Sequence, residues 1–448
     1  MAIIFALSLL GLAVASGLAI DYARSLNSFE SLQQDLDSTL LFLGRSKLQA
    51  GDSQFDVQQA ATTYIHGLHR QKFSNDDLAI NITESTPGTL KGRATLSVPT
   101  SFSKLFGVRA MRMDAVSEVA VGDQPVEVSL VLDNTGSMSG AKLSALKTAA
   151  KSLIDTAYQA QRADKNIKIG IVPFAQYVNV GQSNRNQSWM NVPLDSTQTG
   201  AEVCYMDTPV TGSSNCHTET GTGTNDGVPY TYTYEVCDYQ YGTPVEKCYT
   251  PTTSQTWYGC AGSRDYPLET VDEQYDVKVP GVMNAACPSE IAPLTNDRST
   301  LEDQIDDMVA TGETYIPSGL IWGWRILSKN APFTEAKGYD ERVNGQKVRK
   351  LLVLMTDGKN TLSPVYPEHT GTDTAKADEL TLEICSNVKA EGIEIYSVAF
   401  QVEDAAAKTV LQKCASGASK YFDAEDEQEL DSSFQEIAKD FSPLRLTR

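Results

Sequence analysis

Histidine is almost missing from this chain, with four residues in 448. That weakens any scheme in which an imidazole activates a serine or a water. No Cys-x-x-Cys pair occurs among the eight cysteines, so the sequence reads poorly as a zinc site. Basic residues are outnumbered, 37 Lys and Arg against 57 Asp and Glu. The resulting net charge of −20 excludes the basic footprint that nucleic-acid binding needs. Charge is absent altogether from residues 2–20, AIIFALSLLGLAVASGLAI, and no Lys or Arg precedes them. Glycine and proline are absent from Leu18 to Leu43.

What is there begins with that apolar run. Nineteen helical residues span about 28 Å, close to the ~30 Å hydrocarbon core of a bilayer. Ala13-Val14-Ala15 resembles a signal-peptide cleavage site. The run nevertheless continues through Leu18, Ala19 and Ile20, which favours a retained anchor. The missing basic flank points to a start further upstream. Beyond the run, Leu26, Phe29, Leu32, Leu36, Leu40 and Leu43 recur at steps of three and four, a helical stripe. Anchor and stalk (1–50) are expected to form one helix whose stripe packs on its own domain or on a partner helix. All eight cysteines lie beyond the apolar run. An even count in a chain with a membrane segment argues an oxidising compartment and disulfides. The expected arrangement is a cytoplasmic N-terminus and a body on the outer side.

Residues 51–124 read as a small α+β domain. Ala94, Leu96 and Val98 alternate, as do Met111 and Met113, then Val119 and Val121, the pattern of half-buried strands. Pro87-Gly88 marks a turn. His66 and His69 have no acidic partner and read as surface residues.

From 125 to 448 the rhythm changes. VEVSLVL (126–132) leads into a helix with Leu143, Leu146, Ala150, Leu153 and Ala157 on one side. IKIGIVPF (167–174), KLLVLM (350–355) and IEIYSVAF (393–400) are further apolar runs suited to strands buried on both faces. Helical patterns lie near 299–309, 317–329, 374–391, 404–415 and 427–440. Strands alternating with helices predict an α/β fold with a doubly wound, mostly parallel sheet. Residues 181–294 interrupt it with six cysteines and 10 of the 19 tyrosines. They read as a disulfide-stapled insertion, with 15 connectivities open. Its tyrosines either face a partner or fill a small core. Cys385 and Cys414 flank the strand 393–400 on two helical patterns and are expected to pair.

Open parallel sheets bind ligands at the C-terminal ends of their strands. Three such positions carry oxygen donors: Asp133, Thr135 and Ser137 in DNTGS, Thr314 in TGETYIPSG, and Asp357 in LLVLMTDG. Spacing of two lets the first loop aim three side chains at one point. Singly, each reads as a helix cap or a common turn. Together, two carboxylates and three hydroxyls are hard ligands. They suit Mg²⁺, or Mn²⁺ and Ca²⁺, and leave a position for a partner's carboxylate.

These residues resemble the metal-ion-dependent adhesion site of von Willebrand factor type A domains, usually written DxSxS, then Thr, then Asp. The match is Asp133, Thr135 and Ser137, then Thr314, then Asp357, with Thr135 where Ser is usual. The whole chain is similar to Tad/Flp pilus-assembly proteins of the TadG type. The stretches that carry this are FALSLLGLAVASGLAIDYARS, LDNTGSM, GETYIPSGLIWGWRILS, LLVLMTDGKNT and the late Cys385 and Cys414. The resemblance implies a single-pass bacterial inner-membrane protein with a periplasmic body. Its partners would be pilus-assembly or pilin-like proteins, and its site would bind rather than catalyse. Three other roles compete. One is a surface adhesin contacting host or matrix protein. Another is a metal-dependent phosphohydrolase with Asp133 as nucleophile, which lacks a second carboxylate at Thr135 and a nearby histidine. The third is a structural scaffold whose site stays empty.

Overall fold

The computed structural model describes residues 2–50, 56–69, 77–86, 89–121, 125–160, 167–225, 228–273, 275–343, 346–441 and 444–446. The chain divides into two compact units. One comprises Met1–Gln124, Val343–Gln346 and Ser442–Arg448, the other Pro125–Arg342 and Lys347–Phe441.

In the small unit, helix α1 runs unbroken over Ala2–Ala50, about 74 Å at 1.5 Å per residue. Its side chains are described from Ser16 to Ser46. The apolar run 2–20 therefore falls largely outside the described side chains. Among the described residues, no helix is long and apolar enough to cross a membrane. The leucine stripe has its partner within the unit. Leu32, Leu36, Leu40 and Leu43 are fully buried against α2 (Val57–His69) and an antiparallel sheet. That sheet orders β1 (Leu78–Thr86), β2 (Thr89–Pro99), β3 (Ala110–Val121) and a short strand, Leu444–Leu446. Ala94, Leu96 and Val98 supply its buried face. Leu26 escapes the stripe and is exposed. His66 is half-buried. The expected turn at Pro87-Gly88 and the side chain of His69 lie outside the described residues.

The large unit is built on a sheet centred on five parallel strands. Their order is Tyr421–Ala424, Glu394–Phe400, Arg349–Thr356, β4 (Val126–Asp133) and β5 (Ile167–Phe174). Both faces of the sheet are covered. One carries α3 (Ala141–Ala160), α4 (Arg298–Asp306) and α8 (Glu427–Lys439), packed through Leu146, Leu153, Leu301, Leu430 and Phe434. The other carries α5 (Ile316–Arg325), α6 (Thr374–Ala390) and α7 (Ala405–Cys414), through Leu320, Ile384 and Leu411. Burial on both faces explains why these strands read as continuous apolar runs. Aspartates begin four of the helices: Asp297, Asp373, Asp404 and Asp426 each accept backbone N–H groups as N-caps.

Helix α5 sits unusually close to the sheet. A Cβ on Gly319 would lie 2.6 Å from the Phe174 ring, and one on Gly323 only 2.3 Å from Val131 Cγ2. Glycine at these two positions lets the helix backbone approach β4 and β5, and it seats the residues just before α5.

The insertion divides. Met190–Asn191, Trp257–Ala261, Val279–Met283 and Ala292–Thr295 join Val178–Asn179, which precedes it, in extending the main sheet. Residues 196–255 form instead a two-stranded antiparallel ribbon in three paired stretches, with no buried residue among those described. Two disulfides cross it, Cys204–Cys248 and Cys216–Cys237, and Cys260–Cys287 staples its base. A ribbon without a core is marginal on its own, so the cross-links supply what packing cannot. Its tyrosines, including Tyr230, Tyr232 and Tyr234, face solvent and fill no core. Cys385 and Cys414 pair, joining α6 to α7 with Cα atoms 5.2 Å apart.

At the N-terminal end of the parallel strands, Arg349 bonds Glu394 at 2.6 Å and Asp440 at 2.8 Å, and Lys420 joins them. Burial pushes both acids up, but Arg349 and Lys420 outweigh it and hold each carboxyl at about 2. Folded values below the unfolded ones give stability that is complete above pH ~4.5 and is lost as pH falls toward 2. Arg349→Ala is therefore expected to move the acid-unfolding midpoint to higher pH, followed by near-ultraviolet circular dichroism; an unchanged midpoint would contradict it. Gly323→Ala is expected to destabilise the large unit by about 1–3 kcal/mol through overpacking, read as a lowered urea midpoint.

Candidate functional site

The strand order reverses between β4 and Arg349–Thr356, the topological switch point of the sheet, where such folds open a crevice. Three loops meet there. The first leaves β4 at Asp133, makes one 3₁₀ turn over Gly136–Met138 and enters α3 through Gly140 at φ +79°. A left-handed residue at this corner favours glycine. The second, residues 311–315, leads into α5. The third, 357–362, follows Arg349–Thr356.

Backbone bonds stitch the loops together. Gly136 N–H donates to the Gly312 carbonyl at 2.9 Å, and Thr311 N–H to the Asn134 carbonyl at 2.8 Å. The Thr314 carbonyl accepts from Thr361 N–H at 2.9 Å and Leu362 N–H at 3.2 Å. Thr314 N–H donates to the Thr361 hydroxyl at 2.9 Å, and Ile316 N–H to Asn360 Oδ1 at 2.8 Å.

All five residues singled out from the sequence come together. Ser137, Thr314 and Asp357 line one cleft of about 510 Å³, with Lys142, Lys359 and Asp404. Asp133 and Thr135 are buried and join the same bonded network. The Ser137 hydroxyl donates to Asp357 Oδ1 at 2.7 Å and lies 3.0 Å from the Thr135 hydroxyl. Asp133 is engaged at both oxygens, by Thr135 N–H at 2.9 Å and by the Thr356 hydroxyl at 2.5 Å. It thus acts as the brace of the loop, with Ser137, Thr314 and Asp357 facing the open volume. Burial, then the nearby charge of Asp357, push the Asp133 carboxyl well above its ordinary range, against the bonds from Thr356 and Thr135.

Sequence reasoning did not find Lys142. Its ammonium lies 2.7 Å from Asp357 Oδ2, placing a positive charge on the carboxylate expected to hold a cation. It is the second residue of α3, and lysine there reads as an ordinary solvated side chain. Thr356, Asn360 and Thr361 were also missed as loop-fixing residues, although they share the TDGKNT stretch with Asp357.

The donor set fits a hard divalent ion. Two carboxylates sit close in a site that shields them from water and three hydroxyls surround them, while the Lys142 ammonium on Asp357 competes with an ion for that carboxylate. Ser137, Thr314 and Asp357 are placed to hold an ion, and Asp133 to act behind them. No imidazole lines the cleft among the described residues. His369 is buried elsewhere, its Nε2 2.8 Å from the Ser263 hydroxyl and its Nδ1 on the Gln176 carbonyl.

No protein-family model matches the chain, and no curated protein matches it. Similar solved structures include a mutant of the PilB minor pilin from Streptococcus sanguinis. That likeness has 11% identity, 83% of this chain and 80% of that chain covered, and a TM-score of 0.39. The von Willebrand factor domain of the type V pili tip protein Mfa5 from Porphyromonas gingivalis is another, at 11% identity, coverage of 71% and 95%, and TM-score 0.36. The pilus adhesin SpaC from Lactobacillus rhamnosus GG is a third, at 13% identity, coverage of 82% and 34%, and TM-score 0.35. The alignment thus takes in about a third of that adhesin's length. At these scores the likeness is coarse, and the functional reading rests on this chain's own residues.

A divalent ion bound at Asp357 has to displace or repel the Lys142 ammonium. Lys142→Met is therefore expected to tighten Mg²⁺ binding by about tenfold or more, and Asp357→Asn to abolish it. Calorimetric titration of the purified protein measures both; weaker binding by Lys142→Met would sink the account of Lys142 as a competing cation.

Proposed function

We propose that this is a membrane-anchored periplasmic binding protein of a tight-adherence (Tad/Flp) pilus-assembly system. Its cleft engages a carboxylate of a pilin-like or pilus-assembly partner through a bound Mg²⁺, or Mn²⁺ or Ca²⁺. The observation that carries this reading is the convergence of Ser137, Thr314 and Asp357 on one cleft above Asp133 and Thr135. Protein oxygens leave part of a hard ion's coordination open, and the cleft is wide enough to admit a carboxylate side chain. The ion supplies positive charge that a protein of net charge −20 otherwise has little of for an acidic partner.

We read the role as binding, because both oxygens of Asp133 are held by hydrogen bonds, which ties down the carboxylate that a phosphohydrolase would use as its nucleophile. The four disulfides support an oxidising compartment for the body, with the apolar run 2–20 as a single inner-membrane pass and the N-terminus in the cytoplasm. A surface-exposed adhesin is the second reading, favoured by the solvent-facing tyrosines of the ribbon.

Crosslinking and pull-down from intact cells tests the first reading. With magnesium the wild-type protein is expected to capture its pilus partner. Chelator, Asp133→Ala and Thr314→Ala are each expected to reduce capture at least about tenfold, a loss of roughly 1.4 kcal/mol or more. Capture that survives chelator and Asp133→Ala alike would remove the site from the function. Digestion of the protein by protease added to intact cells would move the body to the cell surface.

A further inference from the structure

The small unit carries a loop whose chemistry the cleft does not use. Residues 101–109, SFSKLFGVR, connect β2 to β3 and hold a short 3₁₀ turn at Ser103–Phe106. Four of their apolar side chains face solvent: Phe102, Leu105 at 75% exposure, Phe106 at 60%, and Val108. The loop is fastened to α1 at a single level. Both carboxylate oxygens of Asp21, itself buried, accept from the loop. Ser101 N–H donates at 2.9 Å, Phe102 N–H at 2.8 Å, Ser103 N–H at 2.6 Å and the Ser103 hydroxyl at 2.8 Å. Arg24 reaches the Ser101 hydroxyl at 3.0 Å. A Cβ on Gly17 would lie 2.7 Å from the Phe102 ring, so that ring lies directly on the helix at Gly17.

Gly17 belongs to the uncharged run 2–20. Leu18, Ile20 and Tyr22 beside it are also exposed. Charge around this patch runs against the rest of the protein. Arg24, Lys104 and Arg109 are exposed, and the loop 101–109 contains no acid; Arg112 beyond it is paired with Asp114. Asp21, the one acid near them on α1 before Glu30, is occupied by the loop. An apolar surface rimmed by basic side chains fits the boundary of an anionic phospholipid leaflet, where apolar groups sit ~5–10 Å deep and Lys and Arg meet the headgroups. Position agrees with chemistry. Gly17 stands three residues, about 4.5 Å, inside the end of the apolar run, so a helix that enters the bilayer through residue 20 carries Phe102 with it.

We propose that the loop 101–109 is a membrane-interface anchor: Phe102, Leu105, Phe106 and Val108 enter the headgroup boundary of an anionic bilayer while Lys104 and Arg109 contact lipid phosphates. This rests on the reading of residues 2–20 as a membrane segment. The loop gives α1 a second attachment beside its own apolar run and fixes the rotation of the small unit about the helix.

The test uses the full chain in vesicles of phosphatidylcholine and phosphatidylglycerol with brominated acyl chains. Single cysteines replace Phe106, Leu105, Leu18 or Leu68 and carry an environment-sensitive fluorophore. The natural cysteines are all paired, so only the introduced one reacts. Leu68, on α2, is the exposed control, since α2 packs on α1 far from the apolar run, with Tyr64 stacked on Phe42. The expected result is a blue shift and loss of most emission at positions 18, 105 and 106, with none at 68. Quenching at 18 with neither 105 nor 106 affected overturns the loop's role and leaves the anchor standing. Absence of quenching at 18, 105 and 106 overturns both.

Discussion

The pairing of β4 with Arg349–Thr356 is the constraint on which the large unit depends. These strands come from distant parts of the chain and lie parallel at the centre of the sheet. Their register is pinned at both ends. Lys350 lies opposite Glu127 and bonds it at 2.5 Å, both side chains buried. At the other end the Thr356 hydroxyl bonds Asp133. A buried ion pair adds little net stability, because desolvation offsets most of its attraction. A slip by one residue would bury Lys350 and Glu127 without each other and turn the strand's side chains to the wrong faces. The pair therefore selects one register more than it strengthens it. That register delivers Asp133 and Asp357 to the same rim.

The doubly wound pattern was legible because the physics behind it is local. Ile167–Phe174 coincides with the apolar run read from the sequence, and helices α3 to α8 fall within a few residues of their expected positions. The meeting of these five candidate residues at one rim was legible for a related reason. Carboxylates and hydroxyls at strand ends are costly to bury, so a strand ending in DNTGS or TDG marks a rim. Lys142 was not legible, because its role depends on Asp357, over two hundred residues away, and nothing around it distinguishes it from Lys147 or Lys151. The insertion was legible as disulfide-stapled, but its ribbon form was not. Its Tyr-Thr-Tyr-Thr-Tyr alternation has the period of a strand, but neither face is apolar, and half-buried alternation is the usual signal. Glycines in the facing strand accommodate the rings: Gly221 pairs with Tyr232 and Gly223 with Tyr230. The sequence also gave no hint that Leu444–Leu446 would return to pair with β3, since three residues carry no period.

That return has a consequence for how the small sheet forms. Its first three strands are consecutive, and α1 precedes them, so most of its core (Leu36, Leu40, Ala94, Leu96, Ala115) is available from contacts among the first 121 residues. The fourth strand arrives only after the whole large unit. Contacts between distant segments form late, because the entropy of closing the intervening chain is met before they reward it. The small sheet is thus divided into a local part and a closing strand, with the large unit inserted between them in the chain.

The cleft combines this scaffold with a charge arrangement that does not depend on an ion. Two carboxylates placed together with no cation would repel and raise each other's protonation. Here Lys142 supplies an ammonium to Asp357, and hydrogen bonds from Thr135 and Thr356 support Asp133. The loops are also stitched by backbone bonds that use no side chain of the donor set, such as Gly136 to Gly312. Such a site differs from structural zinc sites, in which the metal supplies the folding energy. Binding becomes an exchange of one cation for another across a rim that is already formed. On the reading proposed above, an incoming divalent ion would have to outcompete Lys142, and the displaced ammonium would lie beside the ion, able to meet the second oxygen of a partner's carboxylate. The same lysine that weakens the bare site for metal would then strengthen the metal-bound site for its ligand, so metal and partner would bind more tightly together than either alone, a coupling that is reciprocal by thermodynamic necessity.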